Sequence, residues 1–298
     1  MYKKIILILV FSFLTISGFA AESNLNKDNI SIDTQKNIEL FLEKSFKKVP
    51  VSFDGFAILS MNKVPTTKWT EYLIIIKVIP NKVRKTGEYD QGLSEPIEVA
   101  QILFSDGFFV VGDIYDPNED KFLSEIYKPV PGHETTIENR LIYGKISAPN
   151  QILVYADPLC KFCREEIPSL LSLLKTEKSE DFSVFLVSLP LKRIHSTSIT
   201  LVKIIALELS RGNKEIIDDL YKIEIPNMLY DENKILSIVN KELSRQYTKE
   251  EINTENILNY IEKDRKNATS FMVNSTPTVF LNGVITRDII RDVEDKLF

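Results

Sequence analysis

Two periods of apolar spacing divide this chain, and the places where one gives way to the other mark its parts. Ile32, Ile38, Phe41, Leu42 and Phe46 recur at helical spacing and predict an amphipathic helix over Asp33–Lys48, ended before Val49-Pro50. Four strand-like runs follow, Ser52–Ser60, Tyr72–Ile79, Ile97–Phe104 and Phe108–Ile114, the last two joined by a Ser105-Asp106-Gly107 turn. The run Tyr72–Ile79 is too continuously apolar to leave one face in water, so it is a central strand or part of an interface. One helix against four strands predicts a small α+β module over residues 30–115. Residues 116–145, broken by Asp116-Pro117-Asn118 and Pro129-Val130-Pro131-Gly132, read as a connector. It has room for a short helix between Asp120 and Lys128 and carries His133 as a loop histidine.

From Lys145 the order becomes strand, helix, strand: Ile152–Ala156, Phe162–Lys175, Phe182–Leu189. That is a βαβ unit with a parallel sheet. A helical block over about 192–272 comes next. Its first stripe is Ile199, Val202, Ile205, Ala206 and Leu209, and its second Ile216, Ile217 and Leu220. The third is Ile235, Ile238, Val239 and Leu243, and the fourth Ile257, Ile261 and Phe271. The charge-rich stretch Lys241–Glu255 reads as a solvated face. Thr278–Leu281 and Val284-Ile285 flank Asn282-Gly283, a tight hairpin turn, and a helix over Asp288–Leu297 closes the chain. The fold class is therefore an α+β N-terminal unit followed, over 146–298, by an α/β unit with a helical insertion.

Composition narrows the function classes. The chain is 44% apolar with a formal charge of −5, and its short basic clusters lack interleaved aromatics, so no nucleic-acid partner is expected. Lys3-Lys4, the apolar run Ile5–Ile16 and Gly18-Phe19-Ala20 read as a signal peptide over residues 1–20, cut after Ala20. An uncleaved membrane anchor is the alternative, for which the run is short. Export places the chain in an oxidising compartment, and its two cysteines are too few for a disulfide framework, so they are expected to be kept for reactivity.

Those two cysteines, Cys160 and Cys163, form a Cys-x-x-Cys at the start of a predicted helix. Unpaired N–H groups and the positive end of the helix dipole favour a thiolate on the first sulfur. Lys161 beside it acts in the same direction, and Glu165 and Glu166 oppose it. Cys160 is thus the candidate nucleophile and Cys163, one turn in and facing the core, the resolving thiol. Asp157 either caps the helix start or assists proton transfer from Cys163, with capping preferred. His195 precedes a helix expected to be capped by Ser196, and no catalytic role is assigned to it. For Pro277 a trans proline opening an ordinary edge strand is the less favoured alternative.

The segment Tyr155-Ala156-Asp157-Pro158-Leu159-Cys160-Lys161-Phe162-Cys163, with Thr276-Pro277 before a hairpin and a terminal helix, resembles a thioredoxin fold. More narrowly it looks like periplasmic thiol:disulfide interchange proteins of the DsbC/DsbG group. Phe104-Ser105-Asp106-Gly107 and Gly112-Asp113-Ile114-Tyr115-Asp116 are similar to the hairpin ending that group's N-terminal dimerisation domain. The chain departs from the pattern in its Lys161-Phe162 dipeptide, its lack of a second disulfide and its long helical block. The resemblance implies a thioredoxin-like catalytic domain and a homodimer formed through residues 30–115. It also implies a cis Thr276–Pro277 bond, with the Thr276 hydroxyl bonded to Cys160 and the peptide edge open to substrate. Lys161, Phe162 and Asp157 take auxiliary roles. The redox centre is a Cys160–Cys163 disulfide with no other cofactor and no metal. The implied activity is disulfide isomerisation or reduction on exported, cysteine-containing proteins in the periplasm, sustained by a DsbD-like membrane reductase. The alternatives are a DsbA-like oxidase recharged by a DsbB-like partner, and a non-catalytic chaperone or metal-binding protein.

Overall fold

The computed structural model describes residues 30–47, 51–80, 96–131, 140–177 and 179–297. The expected leader and His133 lie outside them. The first helix, α1 (Ile32–Phe46), starts where the Ser31 hydroxyl accepts from Thr34 N–H and buries Ile38 and Leu42. It covers one face of an antiparallel sheet of β1 (Val51–Lys63), β2 (Thr70–Pro80), β3 (Ile97–Ser105) and β4 (Val110–Val111), in that spatial order. β2 is an inner strand, in keeping with an apolar run that only Lys77 interrupts. The strand expected over Phe108–Ile114 shrinks to two residues. Asp106 Oδ1 accepts from the N–H groups of both Phe108 and Phe109, which widens the turn and leaves both rings exposed.

The stretch read as a connector is more structured than expected. It holds the hairpin β5 (Tyr115–Asp116) and β6 (Lys121–Phe122), the short helix α2 (Leu123–Ile126) and β7 (Leu141–Tyr143). β7 pairs antiparallel with β9 (Phe182–Ser188), so the second unit begins before residue 146. Gly144 permits that approach: at φ +74°, a Cβ there would lie 2.0 Å from the Phe182 carbonyl oxygen.

The second sheet has the order β11-β10-β8-β9-β7, with β8 (Asn150–Ala156) parallel to β9 and antiparallel to β10 (Thr278–Leu281), and β11 (Val284–Thr286) at the edge. Its central strands are mostly apolar on both faces because both faces are covered. Ile152, Val154 and Ala156 face one core with Val184, Leu186, Val279 and Leu281, while Leu153, Tyr155, Phe185, Val187 and Phe280 face the other. Onto the larger core α3 (Lys161–Thr176) presents Cys163, Ile167, Leu170, Leu171 and Leu174.

The helical block is α4 (Ser198–Ser210), α5 (Ile216–Lys222), α6 (Glu232–Leu243), α7 (Lys249–Ile252) and α8 (Glu255–Ser270), and α9 (Ile289–Leu297) ends the chain. Two expectations change here. α4 is buried nearly all round rather than along one stripe, because it lies inside the block against α5 and α8. The charge-rich stretch is not merely solvated: a Thr248–Glu251 capping box starts α7, whose Ile252 is fully buried.

Two links tie the parts together. Arg265 on α8 pairs with Glu98 on β3 at 2.8 Å, and Met272 packs with Val64, Ile102 and Phe104 of the first sheet. Deeper in, the buried Arg140 guanidinium reaches Asp264 Oδ1 through Nε at 2.8 Å and Nη2 at 2.7 Å, and lies over the Tyr260 ring. Asp264 Oδ2 accepts from Ser188 N–H at 2.8 Å, so one carboxylate holds β9 to α8.

Candidate active site

The site lies where β8 runs out. Cys160 is the N-cap of α3, in extended conformation and with no side-chain cap bond, so its sulfur stands at the start of the helix. Asp157, expected to cap, does not: Cys160 occupies that position. Instead the Asp157 carboxylate is fully buried and accepts four bonds. Oδ1 takes Leu159 N–H at 2.7 Å and the Ser198 hydroxyl at 2.6 Å; Oδ2 takes Leu191 N–H at 2.6 Å and faces His195 Nδ1 at 3.2 Å. It is the pin that joins the Cys160 loop to the segment between β9 and α4. With all four contacts on it, the carboxylate has no free lone pair for a proton from Cys163.

Both cysteines are thiols, and both are buried. Cys160 keeps 7% exposure and Cys163 none. Burial pushes the Cys163 thiol far above the ordinary cysteine range, partly opposed by a hydrogen bond from the Asp157 backbone. Burial likewise raises Tyr221, a fully buried phenol beside Cys163, Asp157 and Cys160. The intervening Lys161 and Phe162 both face outward, Phe162 at 65% exposure. Pro168 lies inside α3, one turn past the pair.

The antiparallel pairing Thr278↔Tyr155 brings the far end of the chain to this point. The Thr276–Pro277 bond is cis. The Cys160 thiol donates to the Thr276 backbone carbonyl at 3.3 Å. The hydroxyl expected in that role is buried without a hydrogen-bond partner, so the contact belongs to the main chain. The structure therefore brings together Cys160, Cys163, Asp157, Thr276 and Pro277, with Lys161 and Phe162 on the rim. His195, expected to stand apart, is part of the same cluster through Asp157. Ser196 does not cap α4; its hydroxyl donates to the Leu229 carbonyl, fixing a loop with exposed Met228 and Tyr230. Among the described residues no group of three or more His, Cys, Asp or Glu is placed to hold a metal ion. No described helix is long and apolar enough to cross a membrane.

A model of the thioredoxin family matches residues 136–294, more than half of the chain. The chain belongs to the thioredoxin family. Solved structures similar to this thioredoxin-family chain include a protein-disulfide isomerase candidate from Pseudomonas syringae, 18% identical, covering 53% of this chain and 97% of that one at a TM-score of 0.45. BdbD from Bacillus subtilis is 16% identical over 56% of this chain and 97% of its own, with a TM-score of 0.45. DsbA2 from Pseudomonas aeruginosa is 18% identical over 54% and 94%, with a TM-score of 0.38. No curated protein matches the sequence.

Asp157→Asn tests the pin. The amide keeps the shape but turns an NH₂ toward groups that already donate, so a loss of about 2 kcal/mol is expected. Urea unfolding of the reduced protein reads it; an unchanged midpoint would show that the four bonds carry no net stability.

Proposed function

We propose that this thioredoxin-family protein is a thiol–disulfide oxidoreductase of exported proteins, acting in the periplasm as a disulfide isomerase or reductase. The observation that carries the reading is the Cys160 sulfur at 3.3 Å from the Thr276 carbonyl, at a helix start and with Cys163 directly beneath. An extended substrate strand pairs with the main chain at Thr276 and so lays its own disulfide against Cys160. The Cys160 thiolate attacks one substrate sulfur, forming a mixed disulfide and displacing the other. Either another substrate thiolate attacks and the disulfide is rearranged, or Cys163 attacks Cys160 and the substrate leaves reduced. Burial of Cys163 suits the first course, because a thiol kept protonated gives the substrate time to rearrange.

A homodimer through residues 30–115 would set two such sites around one client, and the exposed Phe108 and Phe109 are apolar surface for that contact. A membrane reductase is the partner that keeps Cys160 and Cys163 reduced.

The test is the equilibrium potential of the Cys160–Cys163 pair against glutathione, with its resting state in cells. A resting dithiol is expected. A strongly oxidising pair that rests as a disulfide would instead mark an oxidase, and a pair that never exchanges would leave a chaperone.

A further inference from the structure

The Asp157 pin leaves one group with chemistry to spare. His195 is the histidine of the described residues, and its Nδ1 is taken up by Asp157 Oδ2 at 3.2 Å. A carboxylate only accepts, so Nδ1 carries a proton and the ring is held in one orientation. Nε2, on the far side of the ring, has no hydrogen-bond partner among the described residues. The side chain keeps 12% exposure, so the imidazole is walled in by the fold yet reaches solvent. Its neighbour Ile194 is exposed, and on the other side of Asp157 the backbone carbonyl accepts from Cys160 N–H at 3.1 Å. An oriented imidazole thus borders the loop that holds the nucleophilic sulfur. Asp157 and His195 stand as orienter and proton carrier, the arrangement by which a buried carboxylate fixes a working imidazole.

The chemistry of exchange calls for such a group. When Cys160 opens a substrate disulfide, the displaced sulfur leaves more slowly the higher the pKa of its thiol, so a proton delivered as it departs helps an alkyl sulfur most. When Cys163 later attacks, its proton has to go elsewhere, and Asp157 is saturated.

We propose that His195 is a catalytic residue, the general acid–base of the exchange reaction; this rests on the oxidoreductase reading above. In the first step the Cys160 thiolate bonds to one substrate sulfur, the substrate S–S bond breaks, and His195 Nε2–H protonates the departing sulfur. In the second, neutral His195 Nε2 takes up the Cys163 proton by way of water as the Cys163 sulfur bonds to Cys160. The bond from Cys160 to the substrate breaks, and the second substrate sulfur takes that proton. Two electrons pass from the dithiol to the substrate disulfide. The two protons that began on His195 and Cys163 end on the two substrate thiols, so no outside reductant enters the step.

Leaving-group chemistry supplies the test. Reduced protein is mixed with an alkyl disulfide, glutathione disulfide, and separately with an aromatic one, 5,5′-dithiobis(2-nitrobenzoate), whose thiolate leaves readily without a proton. His195→Asn keeps an N–H for Asp157 and removes the titrating group. It is expected to lose about 100-fold in rate with the alkyl disulfide and less than about threefold with the aromatic one, as leaving-group acidity dictates. Equal loss with both, or none with either, overturns the proposal. Ser198→Ala removes another donor to Asp157 and so reports loosening of the loop alone; the same split in that variant would also overturn it. Wild-type protein that reacts with neither disulfide would refute the oxidoreductase reading itself, a result separate from the behaviour of the variant.

Discussion

Cys160→Ser is expected to abolish disulfide exchange, and Cys163→Ala to stop the reaction halfway, leaving the protein bonded to its substrate. The two outcomes differ because the two sulfurs differ in place. Cys160 is the helix N-cap, keeps 7% exposure against none for Cys163 and touches the Thr276 carbonyl, so of the two it is the sulfur expected to meet an incoming disulfide. Cys163 is fully buried, and burial holds it protonated, so it acts only once a mixed disulfide has formed above it. Loss of the nucleophile should lower the exchange rate by at least about 10⁴-fold. Loss of the resolving thiol should leave the first attack close to wild type while covalent adducts build up on non-reducing gels. Alkylation of the reduced protein gives an independent reading: modification is expected at Cys160 and not at Cys163. Adducts forming through Cys163 in the Cys160→Ser protein would reverse the assignment.

The second large effect concerns stability. Arg140→Met or Asp264→Leu alone should cost about 3–5 kcal/mol, because each leaves a buried charge without its partner. Changing both, to Met and Leu, should recover part of that loss, although Ser188 N–H then stays unpaired. A urea double-mutant cycle measures the coupling, and additive losses would show that the pair does not act as a unit. The pH dependence has a definite sign. Burial lifts the Asp264 carboxyl from 3.8 to about 6, against the pull of Arg140 and Ser188 N–H. Between those values the folded protein keeps this proton and the unfolded chain releases it. The contribution is therefore complete below about pH 4 and lost as the pH rises through 6. Asp264→Asn cannot titrate, so wild type should lose ground against it over that window. A gain instead would mean that the ion pair outweighs burial.

Much of the fold was legible in the chain because local pattern and tertiary role agree. The nearly continuous apolar run of β2 announced a central strand or an interface, the strand–helix–strand order announced β8, α3 and β9, and the stripes at 216–220, 235–243 and 257–261 announced α5, α6 and α8. Cys160 and Cys163 were readable from their spacing and their place between strand and helix. What stayed hidden depends on partners distant in sequence. Asp157 looked like a cap because its Leu191, His195 and Ser198 partners lie more than thirty residues on, and nothing local links them. The Thr276 contact is made by a main-chain carbonyl, which no residue type reveals. β7 has three residues and is defined by its pairing with β9, so its sequence alone carries little signal. α7 was different: Thr248 and Glu251 spell a capping box, and the surrounding charge masked it.

The antiparallel docking of β10 on β8 has a consequence for how the protein comes into being. The nucleophile and its carbonyl neighbour lie 116 residues apart in the chain. During synthesis the dithiol therefore emerges long before the strand that completes its surroundings. A newborn chain passes through a stage with both thiols made and the neighbouring carbonyl still missing, and that stage closes only when the last strands settle.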